Sequence, residues 1–128
     1  MPVLDAWAIM AYLGAEEPAG SKVRSLLEDR NGLCRISWIN LGEVLYTLGR
    51  RSSLSEAEQV VRKISGVVDP VEATPTRTLA AARIKATHRL SYADAFAVAT
   101  AAELAMPLWT GDPEILVAEV GIEVIDLR

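Results

Sequence analysis

Apolar positions fall into short runs separated by longer stretches with helical spacing. Val3-Leu4 is a brief strand ending at Asp5, and Ala6 to Leu13 follows as an apolar helix stopped by Gly14. Pro18 to Arg30 reads as a second helix, with Val23, Leu26 and Leu27 on one face and Asn31-Gly32 as its stop. Leu33 to Ser37 is a second strand. Trp38 to Arg51 is a third helix, its core stripe formed by Leu41, Val44, Leu45 and Leu48. Ser53 or Ser55 caps a fourth helix that runs to about Ser65 and closes at Gly66. Val67-Val68 is a short third strand, and Thr74 to Arg89 a fifth helix with Pro75 in its first turn. The sixth helix runs from Ser91 to about Met106. Pro107 to Thr110 is the fourth strand, Asp112 and Pro113 open a short helix ended by Gly121, and Ile122 to Ile125 is a closing strand. Strands alternating with helices in this way predict a parallel sheet covered on both faces, an α/β sandwich.

The length of 128 residues suits one domain over 1–128, with no repeat, low-complexity tract or linker. A content of 51% hydrophobic and 23% charged residues is that of a soluble globule rather than a disordered chain. No uninterrupted apolar run is long enough to span a membrane, and the start lacks a basic stretch followed by an apolar signal core, so the expected location is the cytoplasm. Cys34 is the sole cysteine, which excludes an internal disulfide and a cysteine-rich metal cage; its neighbours suggest a buried strand position. The net charge of −4 runs against a basic nucleic-acid footprint, unless bound metal and local basic patches offset it.

Four acids raise the question of chemistry. In open α/β sheets, ligands bind beyond the carboxyl ends of the strands. Asp5 follows the first strand directly and Asp112 follows the fourth by two residues. Asp94 opens an alanine-rich, almost wholly apolar helix whose first turn can face the same edge. A carboxylate there needs hydrogen bonds, a cation or a metal. Glu43 falls away from the core stripe of its helix, on a side shared with Asn40, Thr47 and Arg50. Each acid also has a plain structural reading. Asp5 and Asp112 are positioned as helix caps, Asp94 as the acid of a capping box begun by Ser91, and Glu43 as a solvated surface charge. Spacing alone leaves both sets of readings open.

The segments Val3-Leu4-Asp5, Ser37-x-x-Asn40-Leu41-x-Glu43-Val44-Leu45-Tyr46, Leu90-Ser91-x-x-Asp94-Ala95 and Thr110-Gly111-Asp112 resemble, in order and separation, the motifs of the PIN-domain ribonucleases. The nearest likeness is to the toxins of VapBC toxin–antitoxin pairs, and it covers essentially the whole chain. The resemblance implies a PIN-like three-layer α/β/α sandwich with a mainly parallel sheet of about four to five strands. It implies that Asp5, Glu43, Asp94 and Asp112 form a catalytic cluster holding Mg²⁺ or Mn²⁺, that Thr110 supports the cluster, and that Asn40 orients Glu43 or the substrate. The implied partners are an RNA substrate, a cognate VapB-type antitoxin clasped in a groove beside the active site, and a second copy of the chain in a homodimer. Apolar residues of the second to fourth helices are candidates for that groove. One departure stands out. Many relatives carry a Ser or Thr one or two residues after the first Asp, whereas here Ala6 and Trp7 follow Asp5.

The residue types suit that chemistry. Crowded carboxylates raise one another's pKa unless a divalent cation neutralises them, and hard cations prefer oxygen ligands and retain waters. Such hydrolysis needs no histidine or cysteine nucleophile, and His88 reads instead as a helix-end residue near the negative pole of the dipole. Arg83, Lys85 and Arg89, just before Asp94, are candidates to guide RNA phosphates; the plain alternative is a solvated helix face. The aromatics Trp7, Tyr12, Trp38 and Tyr46 read mainly as core filling. A dehalogenase-type phosphatase requires a second acid where Trp7 stands. A phospho-receiver domain requires an acidic pair after the first strand and a late lysine, and the last lysine here is Lys85. The alternative of a different class is a catalytically silent PIN-like module that binds RNA or protein.

Overall fold

A computed structural model describes residues 1–29 and 33–128. The chain runs β1 (Val3–Leu4), α1 (Ala6–Leu13), α2 (Ala19–Glu28), β2 (Arg35–Ser37), α3 (Trp38–Arg51), α4 (Leu54–Ser65), β3 (Asp69–Val71), α5 (Pro75–Thr87), α6 (Tyr92–Leu104), β4 (Leu108–Thr110), α7 (Pro113–Val117) and β5 (Val124–Asp126). The strands form one five-stranded sheet in the order β3-β2-β1-β4-β5, every pairing parallel. Parallel strands need crossover helices, which cover both faces of the sheet. The expected stop of α2 at Asn31-Gly32, with the expected last residue Arg30, lies outside the described residues.

The core has one body beneath α1 and α3, centred on Leu4, Ile9, Ile36, Leu41 and Val44. A second surrounds Val3, Val98, Leu108 and Ile115. Helix α6 lies between the sheet and α5 with all residues from Asp94 to Ala101 buried, because alanine and valine allow close approach on both sides. Cys34 is buried as a small apolar residue. None of the described helices is long and apolar enough to cross a membrane.

Two strand positions differ from the pattern-based expectation. The third strand is Asp69–Val71, not Val67-Val68: Val68 is buried in the core just before the strand, while Pro70 takes a ladder position opposite Ile36. Proline is tolerated there because β3 is an edge strand, paired on one side only. The last strand is Val124–Asp126, set by its register of Val124 on Leu108 and Asp126 on Thr110. The core-filling role expected of the aromatics is also corrected at two positions: Trp38 and Tyr46 are exposed, and Arg50 lies over the Tyr46 ring at 5.1 Å.

Candidate functional site

Three parallel strands end side by side, and the residues that follow them converge. The register sets Leu4 opposite Trp109, so Asp5 and Thr110 come next to each other one step further along. Asp5 caps α1, its Oδ1 accepting from the Ala8 N–H at 2.9 Å, and its Oδ2 accepts from the Thr110 hydroxyl. The same Thr110 oxygen accepts from the Asp112 N–H at 3.0 Å, and Asp112 in turn caps α7 through the Glu114 N–H at 2.9 Å. A chain of hydrogen bonds thus runs from the buried Asp5 to the half-buried Asp112.

Asp94 enters from α6. Its N–H donates to the capping Ser91 hydroxyl at 3.1 Å, which satisfies a donor of the helix start, and the Ser91 side chain also favours the charged form of the carboxyl. Asn40, fully buried on α3, donates from Nδ2 to the Ala93 carbonyl at 3.0 Å and so ties α3 to the first turn of α6. One turn further along α3, Glu43 is half-buried at a cleft, and Thr47 and Arg51 follow on the same cleft wall. The cleft measures about 410 Å³, and Asp94, Asp112 and Glu43 lie along it together with Trp7 and Met10 of α1.

The electrostatics are those of crowded acids. Burial pushes the Asp5 carboxyl up to about 7 against the bonds from Thr110 and Ala8 that favour its charged form, and the charges of Asp94 and Asp112 add to the rise. Asp94 is pushed up to about 6, first by burial and then by Asp112, with Glu43 and Glu114 contributing. Glu43 is also raised by burial, with the Asn40 amide opposing and Asp112 adding. Carboxylate oxygens of Asp94, Asp112 and Glu114 all lie within 4.8 Å of one another. Glu43 Oε1 and Asn40 Oδ1 are buried without a hydrogen-bond partner among the described residues. An all-oxygen donor set, mutual repulsion and an unsatisfied carboxylate oxygen together fit a hard divalent cation.

The structure therefore brings Glu43, Asp94, Asp112 and Thr110 to one place, with Asp5 beneath them and Asn40 bracing the two helices. Glu114 was not among the sequence candidates. As an exposed acid in the first turn of a short helix it reads only as a dipole charge, and its one signal is the position two residues after Asp112. The basic candidates lie apart from the cleft. Arg83 is exposed on α5, the Lys85 ammonium donates to the Leu90 carbonyl at 3.0 Å, and Arg89 lines a separate hollow with Glu114 and Val117. His88 ends α5, with Nδ1 3.0 Å from the Ile84 carbonyl oxygen and Nε2 3.0 Å from that of Glu119.

The family model of the PIN domain matches residues 3–120. No curated protein matches the chain. Among solved structures it is similar to VapBC2 from Rickettsia felis bound to a promoter DNA fragment, at 12% identity, 98% of either chain and a TM-score of 0.75. It is similar to VapC20 of Mycobacterium tuberculosis, described as a sarcin–ricin loop cleaving toxin, at 21% identity over 93% of this chain and 95% of that one, with a TM-score of 0.73. VapBC-1 from nontypeable Haemophilus influenzae matches at 15% identity over 98% of this chain and 96% of that one, also with a TM-score of 0.73. The parallel sheet with its helical layers is thus the fold of these proteins, and the family model covers both the first strand and the last acidic turn. On that evidence, this chain belongs to the PIN-domain family.

Proposed function

We propose that this chain is a Mg²⁺- or Mn²⁺-dependent endoribonuclease, the toxin of a VapBC-type pair, restrained by a VapB-type antitoxin and assembled as a homodimer. The observation that carries the reading is the meeting of Asp94, Asp112 and Glu114 oxygens within 4.8 Å at the carboxyl edge of the sheet, beside a cleft. Burial and neighbouring negative charge raise the carboxyl of Asp94 in this trio and those of Asp5 and Glu43 beside it, a strain that a bound cation would relieve. The partner and the RNA substrate are suggested by the similar VapBC complexes and by the loop-cleaving VapC20.

Asp94, Asp112 and Glu114 are the residues to hold the ion. When bound, it supplies a polarised water and neutralises charge building on a phosphodiester. Asp5 and Thr110 fix the height of Asp112 through the hydrogen bonds that reach its N–H. Glu43 lines the cleft with its carboxyl raised by burial, which suits it to exchange a proton there. Asn40 holds Glu43's helix against α6, and its hydrogen bond to Ala93 favours a positioning role over a direct substrate contact. Arg83, Lys85 and Arg89 remain candidates for outer phosphate contacts, Arg89 foremost because it shares a hollow with Glu114.

The test is RNA cleavage by purified protein with Mn²⁺ or Mg²⁺, with EDTA and Asp94→Asn as controls. The Asn variant keeps shape and loses charge, and a drop on the order of 100-fold or more with folding intact is expected for a metal-holding carboxylate. Cleavage that survives both controls would sink the reading. Metal binding without cleavage of any RNA would favour the silent binding module.

A further inference from the structure

Resting on the ribonuclease reading, we propose that Trp7 is a stacking platform for one unpaired nucleobase beside the scissile phosphate, and that Arg51 holds a neighbouring backbone phosphate at the far end of the cleft.

Trp7 stands in the first turn of α1, two residues after the capping Asp5. Its ring lies flat on Gly111: a methyl built at Gly111 would overlap Cη2, Cζ2 and Cζ3 of Trp7. One face of the indole is therefore spent on the turn between Thr110 and Asp112. The half-buried ring also lines the cleft, immediately beside the carboxylates. An aromatic face next to a phosphodiester-cutting centre is the arrangement that binds single strands, because every base has a face to stack and only an unpaired base can offer it.

The opposite wall supplies the charge. Glu43, Thr47 and Arg51 are spaced four residues apart along α3, so one helical ridge carries a carboxylate, a hydroxyl and a guanidinium along the cleft. Glu43 to Arg51 spans about 12 Å at the helical rise, which leaves room for a nucleotide between acids and cation. Arg51 is the only basic residue among the described residues lining the cleft, and it has no salt-bridge partner among them. Every other charged residue lining the cleft is an acid, so Arg51 is where a phosphate is most favoured. Met10 and Leu48 complete an apolar surround for the base. A cleft of about 410 Å³ has room for a nucleotide.

The experiment uses a short single-stranded oligoribonucleotide that the wild type cleaves, together with versions carrying one abasic residue at each position. In the wild type, loss of one base next to the cut is expected to lower kcat/KM about tenfold, mainly through KM. Trp7→Leu is expected to lose the same factor with the intact substrate and to be indifferent to that abasic position. Trp7→Tyr, which keeps an aromatic face, is expected to stay within about threefold of wild type. Arg51→Gln is expected to raise KM and to reduce the salt dependence of binding by about one phosphate contact. Mn²⁺ affinity, measured by calorimetry without RNA, stays unchanged in all three variants.

A Trp7→Leu protein that responds to the abasic position as the wild type does overturns the platform. So does a parallel loss of Mn²⁺ affinity, which would show that Trp7 acts through Gly111 on Asp112. Unchanged RNA kinetics with lost inhibition by the antitoxin would assign the cleft to a protein partner and overturn it as well. A wild type that cleaves no RNA removes the ribonuclease reading itself, an outcome distinct from these three.

Discussion

Two strand-to-helix junctions lie side by side in this molecule and are built alike, yet they do different things. At β1–α1, Asp5 caps the helix through the Ala8 N–H at 2.9 Å; at β4–α7, Asp112 caps through the Glu114 N–H at 2.9 Å. Local capping is therefore the same in kind. Burial separates them. Asp5 is 1% exposed, with both carboxylate oxygens taken by protein hydrogen bonds, whereas Asp112 lines the cleft within reach of Asp94 and Glu114. The Thr110 hydroxyl joins the two, donating to one junction and accepting from the other. A helix cap thus becomes part of a site through its neighbours and its solvent access, not through its own geometry.

The largest expected effect follows from the protonation of Asp5. Its folded pKa of about 7 lies above the ordinary 3.8, so the native state holds a proton that the unfolded chain has released. Asp5 thus contributes stability at low pH that is lost as pH rises between those values, by about 1.4 kcal/mol per unit while only the native group is protonated. Asp94 adds the same sign over a narrower window, up to about 6. Thermal unfolding of the metal-free protein should therefore show Tm falling from pH 4.5 to 7.5, and Asp5→Asn should flatten most of that slope. A flat wild-type profile would break the contrast between the junctions.

A smaller effect is expected from cutting the link between them. Thr110→Val keeps the shape of the side chain but removes the donor to Asp5 and the acceptor for the Asp112 N–H, at a cost of about 1–3 kcal/mol for groups left unsatisfied. Denaturant unfolding measures that loss. Because the Thr110 bond favours the charged form of Asp5, the variant should also extend the falling limb of the pH profile to higher pH. A Thr110→Val protein as stable as wild type would mean that the two caps stand independently.

Much of this fold could be read in the sequence because local signals and tertiary demands agree. Of the α3 stripe, Leu41, Val44 and Leu48 pack as the spacing indicates while Leu45 is half-buried, and Asp5, Ser53, Ser91 and Asp112 cap helices as expected. Legibility fails at the edges of the sheet. Pro70 sits in β3 against its propensity, because pairing with β2 decides the strand and an edge position tolerates the missing donor. At the site, the four acids were visible as residues, but their meeting depends on register and crossover, which no spacing encodes. Asn40 shows this well: a polar residue on the outer side of an amphipathic helix is fully buried, because its partner is a carbonyl fifty-three residues away. Glu114 was hidden for the opposite reason, its local reading as a dipole charge being sufficient by itself.

The central claim is that the exposed junction and Asp94 share one divalent cation while the buried junction supports them. Calorimetric titration with Mn²⁺ at pH 6.0 and 7.5, in buffers of different ionisation heat, tests it most directly. Binding should be tighter at pH 7.5, should release a proton at pH 6.0 because Asp94 is partly protonated there, and should lose about tenfold or more in affinity, with most of the released proton, in Asp94→Asn. Binding by Asp94→Asn equal to wild type, or no binding to the wild type at millimolar Mn²⁺ and pH 7.5, would contradict it.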